Sequence, residues 1–516
     1  MSTTTLDPPR SALARAVAPD RPDKRRASAT WRSLAVTLVP AALAVALVLY
    51  ELSTRSLWLD ESASVAIASQ HGSALWSAIS HDGGNLLGFY LILHVLIGWF
   101  GHAPELIRAP SAVATVITVA LTAQLGRRLF DWRAGLAAGI VAAVSLPLVF
   151  WGQDARGYTL MLMFIVASFL ALVRLIDGPP PARWPALAYG ACLALAIYMS
   201  FVAVLVVPAQ LLVLVWRRER ARSVIAAVVA TGIACAPIAV LAAQRGSGQL
   251  FWVPAPDLNR VGEMLRWLTS AGMPPNFHRT ATGTVLLVLT LLALARCAIV
   301  MWRRPTWQTG LVLLWLLVPI GLILLESVAG QPVALARTSL VALPAVALLL
   351  AGGLSASRLG LAALGVLVVL RALQLAPSYG ASPENWHAAT HYVAARAAAG
   401  DCIAFYPEDG QMAFQYYGGG LPRSVLPAAS WASETPYVER YVQPSSARAG
   451  QIARSCSRLW LIASHEGQRD GPPGSRANLA RYVALQAALA RAGYRHRVAG
   501  AKFGWASPVR VQLLSH

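Results

Sequence analysis

The sequence predicts a polytopic α-helical membrane protein with a small α/β domain at its C-terminal end. The chain is 56% hydrophobic and only 13% charged, with a mean hydropathy of +0.54, whereas soluble domains are about 25% charged. Apolar runs separated by short arginine-rich clusters recur between residues 31 and 377. From residue 378 onward, strand-like and helix-like runs alternate instead. We therefore predict a transmembrane domain over residues 31–377 and an α/β domain over residues 378–516.

The net charge of +20 does not indicate a nucleic-acid partner. A strongly basic chain is compatible with nucleic-acid binding when its cations form a patch or a separate domain. Here most of them stand in short clusters between apolar runs, which is the pattern of cytoplasmic loops in membrane proteins. Membrane lipids are therefore the predicted partners of this charge, and nucleic acid is not.

Residues 1–30 are predicted to form a disordered cytoplasmic tail, since they are rich in Pro, Ala, Ser and Arg. The first apolar run, Leu34–Leu52, starts late and is long, and no small-residue cleavage pattern follows it. These features argue against a signal peptide. A basic tail stays inside, so the residues after Leu52 are predicted to lie outside the cytoplasm.

The second apolar run, Leu86–Phe100, decides the topology. It is short of the roughly 20 residues that a membrane span needs. If it crossed, Arg127 and Arg128 would fall outside the cytoplasm. If it lies in the outer interface, Ile107–Gln124 becomes the second span and those arginines return inside. We therefore predict an interfacial helix over residues 86–100 within a first external loop of residues 53–106.

With this choice the later runs alternate consistently, giving about eleven spans. The predicted spans are Leu34–Leu52, Ile107–Gln124, Ala134–Trp151, Tyr158–Leu175, Pro185–Ser200, Phe201–Trp216, Val224–Ala243, Gly283–Trp302, Thr309–Val328, Ala336–Leu354 and Leu359–Pro377. Alternatively, the two runs that meet at Ser200 form one span instead of two. An odd number of spans places the C-terminal domain outside.

The C-terminal domain is predicted from periodicity and from breaks at glycine. Its predicted elements are a helix over Trp386–Ala399, strands over Cys402–Tyr406 and Leu459–Ala463, a helix over Leu479–Ala492 and a strand over Val509–Leu514. Cys402 and Cys456 lie in this domain and are able to pair if it is exported. The other cysteines stand in apolar runs, where a free thiol behaves as a small hydrophobe.

Asp60 and Glu61 directly follow the first span. A charge near hydrocarbon costs roughly 2.5–3.5 kcal/mol, so two adjacent acids at the mouth of a span are functional candidates. The alternative is a pair of solvated interface residues, and the sequence by itself does not choose a catalytic residue between the two.

The predicted topology brings further polar residues to the same outer surface as the acids. They are Gln153, Asp154, Arg156 and Tyr158, between the third and fourth spans, and Arg337 at the start of the tenth. Arginine binds phosphate through paired charge-assisted hydrogen bonds, and a nearby carboxylate can accept a proton from an attacking hydroxyl. The combination indicates group transfer from a lipid phosphate. The alternatives are an Arg156–Asp154 pair and snorkelling of Arg337 to headgroups.

Four further residues are weaker candidates for acceptor binding or loop structure. Asp82 and Asn85 flank two glycines that allow either a sharp turn or a close approach to a ligand. His278 lies in a predicted external loop, and Glu326 stands near the outer end of the ninth span, where a charge is costly. A divalent metal ion that bridges carboxylates and phosphate is a further alternative that the sequence does not decide.

The order of several motifs resembles a known family. The motifs are Trp58–Glu61, Asp82–Asn85, Tyr90–His94, Arg108–Ser111, Gly126–Phe130, Gln153–Tyr158 and Arg337 with Pro344. They resemble the GT-C type, polyprenyl-phosphate-sugar-dependent glycosyltransferases, in the branch of the protein O-mannosyltransferases and the lipid A aminoarabinose transferase. The resemblance extends over about residues 30–355. It implies the GT-C fold and an inverting transfer by direct displacement.

The resemblance also implies roles for individual residues. Asp60 would be the general base, and Glu61 would support it or orient the acceptor. Asp154 and Arg156 would lie on the donor-phosphate side, and Arg337 would contact the phosphate. Many relatives carry Asp-x-His-Pro-Pro where this chain has Asp82–Asn85, and the missing histidine weakens a metal-ligand role there.

We accordingly predict a glycosyltransferase in a bacterial plasma membrane. It would move a mannose- or pentose-like sugar from a polyprenyl-phosphate donor to a cell-envelope glycan, glycolipid or protein, with the active site outside the cytoplasm. The alternative is a lipid-linked sugar flippase or other transporter. A transporter is expected to place polar residues deep in several spans and to show internal repeats, whereas here the polar residues gather at one face.

Overall fold

The structure is a computed structural model, and most of the chain is described in it. The described residues are 24–178, 183–245, 253, 255–273, 280–303, 305–398, 400–407, 409–418, 428–429, 454, 456–471 and 473–516. A helix begins at Lys24, inside the range predicted as a disordered tail, and residues 1–23 lie outside the described part.

The described part of the chain up to Tyr379 is almost entirely helical. In chain order the α-helices are α1 (Lys24–Leu49), α2 (Leu59–Ala68), α3 (Gly72–His81), α4 (Leu87–Phe100), α5 (Pro104–Leu129), α6 (Trp132–Ala143), α7 (Leu146–Gly152), α8 (Tyr158–Asp177), α9 (Arg183–Met199), α10 (Val207–Leu212), α11 (Ala221–Arg245), α12 (Leu258–Leu268), α13 (Ala281–Arg303), α14 (Trp307–Ala329), α15 (Leu343–Leu354) and α16 (Arg358–Tyr379). Short 3-10 segments flank α10 at Phe201–Val206 and Val213–Val215 and precede α15 at Thr338–Ala342.

The chain is a multi-pass membrane protein. Among the described residues, 6 helices are long and apolar enough to cross a membrane, and the bent pair α6–α7 would make 7. Four further apolar helices are shorter, among them Ser33–Leu49 and Leu87–Phe100. Each of the predicted spans coincides with helical elements, while their number and orientation stay predictions.

The third predicted span is broken. Helices α6 and α7 meet at an angle of 59°, and Pro147 stands in the first turn of α7. Proline has no N–H to donate to the preceding turn, so it favours the start of a new helix over continuation of the old one. The bend leads the chain from α7 into residues 153–157, which carry several site candidates.

Helix α5 lies at the centre of the bundle and packs against α1, α6 and α8. Glycines of α6 permit its close approach to α5: a Cβ on Gly135 would lie 2.7 Å from the Ala123 carbonyl oxygen, and one on Gly139 would lie 2.8 Å from the Ala123 Cβ. Small residues allow helix backbones to approach closely in the absence of a hydrophobic driving force. Nearer its N-terminal end, α5 contacts α2 through the ion pair between Arg108 and Glu61.

Residues beyond Tyr379 include a mixed five-stranded sheet flanked by helices. Its elements are α17 (Trp386–Ala394), β1 (Cys402–Tyr406), α18 (Gly410–Gly418), β2 (Ala428–Ala429), β3 (Arg458–Ala463), α19 (Pro473–Arg491), β4 (His496–Phe503) and β5 (Val509–Ser515). The strand order is β2-β1-β3-β5-β4. Strands β1, β2 and β3 pair in parallel, and β5 pairs antiparallel with β3 and β4.

All five elements predicted for this region are present, although α17 ends at Ala394 and α19 begins at Pro473. The sequence analysis missed α18, β2 and β4. A disulfide joins Cys402 to Cys456, with 5.9 Å between the Cα atoms. Helix α18 packs against α2, so the sheet region lies next to the predicted acids.

Candidate active site

Helix α2 carries both predicted acids in its first turn. Carboxylates are favourable there because the N-terminal end of a helix bears unsatisfied N–H groups and the positive end of the helix dipole. Although adjacent in sequence, the two side chains have different surroundings. Asp60 is 32% exposed, whereas Glu61 is 2% exposed.

Glu61 is held in a buried ion pair with Arg108 of α5. The Arg108 Nε atom donates to Oε1 at 2.8 Å, and Nη2 donates to Oε2 at 2.9 Å. The backbone N–H of Ala155 donates to Oε1 as well, at 2.9 Å. Glu61 therefore joins α2, α5 and the loop after α7, which is a supporting position. Its predicted role in orienting an acceptor stays a prediction.

Asp60 faces two arginines instead. Its Oδ2 atom lies 3.3 Å from Nη1 of Arg337 and 3.6 Å from Nη2 of Arg156. Arg156 also donates to the Asp60 carbonyl oxygen at 3.3 Å and to the Ser64 hydroxyl at 3.2 Å. Three residues that the topology alone assigned to one surface are thus in contact.

The sequence allowed an ion pair between Asp154 and Arg156 as an alternative to phosphate binding. Among the described residues, Asp154 instead contacts Trp58. Its Oδ2 accepts a hydrogen bond from Trp58 Nε1 at 2.9 Å, and within the described residues its Oδ1 has no hydrogen-bond partner. Burial raises the pKa of Asp154 well above its ordinary value, and the nearby negative charge of Glu61 raises this pKa further. The carboxyl group therefore keeps its proton to a higher pH than an exposed aspartate.

Gln153 and Tyr158 both contact other parts of the protein in this structure. The Gln153 amide donates to the carbonyl oxygens of Val48, at 3.1 Å, and Tyr50, at 2.6 Å, so it satisfies carbonyl groups at the C-terminal end of α1. The buried ring of Tyr158 lies edge-on to Trp151, with 4.5 Å between the centroids. Their predicted contacts with the donor stay predictions.

The weaker candidates that the structure describes form hydrogen bonds of their own. The buried carboxylate of Asp82 accepts a hydrogen bond from the Tyr90 hydroxyl at 2.8 Å, and Asn85 Oδ1 accepts one from Phe201 N at 3.4 Å. Glu326 is exposed and accepts from Gln331 N at 3.2 Å. His278 lies outside the described residues. The positive φ angles of Gly83 and Gly84, which stand between Asp82 and Asn85, match the predicted turn.

Within the described part of the chain, no group of three or more His, Cys, Asp or Glu side chains could hold a metal ion. Asp60 instead has guanidinium groups as its neighbours. Cationic neighbours of this kind are able to stabilise an anionic ligand without a metal.

Sequence reasoning missed Arg55 and Arg108 as site residues. Arg55 is buried and donates to the carbonyl oxygens of Phe150, at 3.0 Å, and Gln153, at 2.8 Å; burial lowers its pKa to about 10. A signal was present, because both arginines flank predicted spans on the outer side, where a buried cation requires a partner. Only the fold shows which partner each one has.

Several solved structures resemble the whole chain. The apo structure of ArnT from Cupriavidus metallidurans matches with a TM-score of 0.59 and 13% identity over 94% of this chain and 98% of that one. The same ArnT bound to undecaprenyl phosphate matches with a TM-score of 0.56 and 12% identity over 92% and 97% of the chains. The chain has the GT-C fold.

The archaeal oligosaccharyltransferase AglB from Archaeoglobus fulgidus, in complex with an inhibitory peptide and a dolichol-phosphate, shares this GT-C fold. It matches with a TM-score of 0.54 and 12% identity over 92% of this chain and 73% of that one. The model of the dolichyl-phosphate-mannose-protein mannosyltransferase family matches residues 86–242. No curated protein matches the chain in sequence. The predicted GT-C fold is therefore confirmed.

Proposed function

We propose that the protein is a membrane glycosyltransferase that moves a sugar from a polyprenyl-phosphate donor to an acceptor hydroxyl. The observation that carries the proposal is the contact of one accessible carboxylate, Asp60, with Arg156 and Arg337. Both guanidinium groups approach the same carboxylate oxygen, Asp60 Oδ2, at 3.3 Å for Arg337 and 3.6 Å for Arg156. Such a cluster favours an additional anion, and arginine is well suited to phosphate.

The proposed reaction is a direct displacement. The acceptor hydroxyl oxygen forms a bond to the anomeric carbon of the sugar, and the bond from that carbon to the phosphate oxygen breaks. The electron pair of this bond stays on the polyprenyl phosphate, which is the leaving group, and the hydroxyl proton passes to Asp60. Arg156 and Arg337 stabilise the charge that develops on the phosphate. Attack opposite the leaving group inverts the anomeric centre.

The supporting residues hold this arrangement in place. The Glu61–Arg108 pair fixes the first turn of α2 against α5, and the Glu61–Ala155 hydrogen bond fixes the loop that carries Arg156. Asp154, whose pKa is raised by burial, is suited to act as a neutral hydrogen-bonding group beside Trp58 rather than as a second base.

The likeness to ArnT and AglB supports the donor class, because the solved structures of those proteins include complexes with undecaprenyl phosphate and dolichol-phosphate. Both are polyprenyl or related long-chain lipid phosphates. For this chain we propose a mannose- or pentose-like sugar and a glycan, glycolipid or protein acceptor in the cell envelope.

The disulfide supports an extracytoplasmic site. Cys402 and Cys456 are joined in the region whose helix α18 packs against α2. Disulfides persist in oxidising compartments and are rare in the cytoplasm. We therefore propose that Asp60 and the α/β domain share the outer side of the plasma membrane, with the N-terminus in the cytoplasm.

The test is a transfer assay with the purified protein in nanodiscs. Undecaprenyl-phosphate mannose and undecaprenyl-phosphate arabinose, labelled in the sugar, are supplied separately with an envelope fraction as acceptor. We expect label in an acceptor together with an equal amount of free undecaprenyl phosphate. Movement of intact donor across a vesicle bilayer, with no cleavage of the sugar–phosphate bond, would instead favour the flippase alternative.

A further inference from the structure

The helix that carries Asp60 does not cap its own N-terminal end. Trp58 occupies the N-cap position of α2 and provides no side-chain hydrogen bond to the first turn. The first N–H groups of a helix have no partner within the helix and need one elsewhere. In this structure a residue far along the chain provides a partner for Leu59.

That residue is Glu384, which stands just before α17. Its Oε2 atom accepts the backbone N–H of Leu59 at 3.1 Å, across 325 residues of sequence. A carboxylate at this position is favourable for two reasons: it accepts an otherwise unpaired N–H, and it lies at the positive end of the helix dipole. Leu59 directly precedes Asp60, so this hydrogen bond sets the position of the proposed base.

Contacts within the α/β domain hold the side chain of Glu384 in place. Its buried carboxylate accepts from Trp386 Nε1 at 2.7 Å and lies 3.3 Å from His465 Nε2. Burial raises its pKa, and His465 opposes that rise. The carboxylate therefore has little freedom to move, and it transmits the position of the α/β domain to α2.

The segment before Leu59 is held by the same domain. Ser56 N donates to the Ser382 hydroxyl at 2.9 Å, and Leu57 N donates to the Tyr417 hydroxyl oxygen at 2.6 Å. The Ser56 hydroxyl in turn accepts from His387 N at 3.1 Å. Three of the four backbone N–H groups over residues 56–59 thus donate to side chains of residues 382–417.

We propose that Glu384 is a positioning residue of the α/β domain that holds the N-terminal end of α2 and so places Asp60 for catalysis. The inference rests on the proposed function of Asp60. It gives the α/β domain a part in the chemical step, beyond any contact with the acceptor. Tyr417 assists through Leu57.

The test compares Glu384→Ala with Glu384→Gln. Both hydrogen bonds at Oε2 need only an acceptor oxygen, which glutamine keeps and alanine removes. We expect Glu384→Ala to lower kcat about 10- to 100-fold, the scale expected for a misplaced catalytic group. KM for undecaprenyl-phosphate mannose should stay within about threefold. Glu384→Gln should restore most of kcat.

Asp401 offers a matched control. Its buried carboxylate also accepts from a tryptophan, Trp460 Nε1 at 2.9 Å, and from a backbone N–H, that of Ala398 at 3.0 Å, and it pairs with Arg458 at 3.1 Å. These partners all lie within the α/β domain. Asp401→Ala should therefore disturb that domain comparably while leaving kcat close to that of the parent protein.

Hydrogen exchange over residues 56–62 gives a readout that requires no substrate. Glu384→Ala should accelerate exchange there, and Asp401→Ala should not. If the parent protein transfers no sugar but exchange responds in this way, the proposed function fails and the structural link stands. Unchanged exchange and kcat in Glu384→Ala, or an equal loss of kcat in Asp401→Ala, would overturn the inference.

If Glu384→Ala does not fold, Tyr417→Phe tests the same segment. We expect this variant to show faster exchange over residues 56–62 and a lower kcat, and values equal to those of the parent protein would contradict the inference.

Discussion

Asp60 and Glu61 differ in surroundings because successive residues of an α-helix are rotated by about 100°. Asp60 thereby faces Arg156 and Arg337, while Glu61 enters the interface with Arg108. The sequence predicted that both acids matter. It did not choose between them, because that choice depends on which face of α2 packs against α5.

Removal of Glu61 should destabilise the protein far more than removal of Asp60. Glu61→Ala leaves the buried guanidinium of Arg108 without its counter-ion, and breaking a buried ion pair costs about 3–5 kcal/mol. Asp60→Asn removes a partly exposed carboxylate, for which we expect about 1 kcal/mol or less. Denaturant unfolding in detergent measures the free energy of unfolding of both variants. Equal losses for the two variants would contradict the assigned positions.

Arg337 should contribute to the binding of lipid phosphate. Arg337→Gln is expected to weaken the affinity for undecaprenyl phosphate about 10- to 100-fold, since hydrogen bonds to charged groups contribute about 1.5–3 kcal/mol. Titration in nanodiscs measures this change. Arg396→Gln is a control, because Arg396 is an exposed cation of the α/β domain that lies over the Tyr392 ring. Equal affinity in Arg337→Gln and the parent protein would exclude the phosphate role.

At the scale of elements, the sequence predicted most of the helices and strands, because hydrophobic periodicity and breaks at glycine or proline are local signals. The bend between α6 and α7 escaped prediction, although Pro147 marks it. The 325-residue separation between Leu59 and Glu384 explains why their contact left no local signal. Strand β4 was missed because none of its residues is buried, so its sequence lacks a strong apolar pattern.

The disulfide should stabilise the α/β domain. The sequence separation of Cys402 and Cys456 is 54 residues, for which loop-entropy arguments give about 4 kcal/mol. Replacing both cysteines with serine should lower the unfolding midpoint of this domain, as should a reductant acting on the parent protein. Limited proteolysis at increasing urea concentrations measures the unfolding of the α/β domain separately from the membrane domain. Cys192→Ser, which changes a free cysteine, is the control, and an unchanged midpoint in the double variant would contradict the expectation.

At the scale of the whole molecule, the predicted topology depends on placing the helix Leu86–Phe100 in the outer membrane interface rather than across the membrane. The structure brings Asp60, Arg156 and Arg337 together, which is the convergence that this assignment predicted. Charge distribution was sufficient for that result because it orients entire spans. It contained no information on side-chain direction, so it could not predict that Gln153 donates to the Val48 carbonyl oxygen or that Tyr158 lies against Trp151. The site roles of these two residues stay predictions.

The outer location of the site can be measured directly. In a chain whose three free cysteines are replaced by serine, exposed Ser73 of α3 and exposed Arg218 are changed singly to cysteine. We expect a membrane-impermeant maleimide to label Ser73→Cys in intact cells, because α3 follows Asp60 in the external loop. Arg218→Cys should react only after permeabilisation. The reverse pattern would place the candidate site in the cytoplasm.

The central claim is that Asp60 accepts the proton of the acceptor hydroxyl during sugar transfer. The most direct measurement is the turnover of Asp60→Asn with labelled undecaprenyl-phosphate mannose or arabinose, whichever the parent protein uses, beside a titration of undecaprenyl phosphate. Loss of a general base costs about 10²- to 10⁴-fold in rate. We expect turnover to fall by that factor while undecaprenyl phosphate still binds at Arg156 and Arg337. Turnover equal to that of the parent protein would contradict the claim.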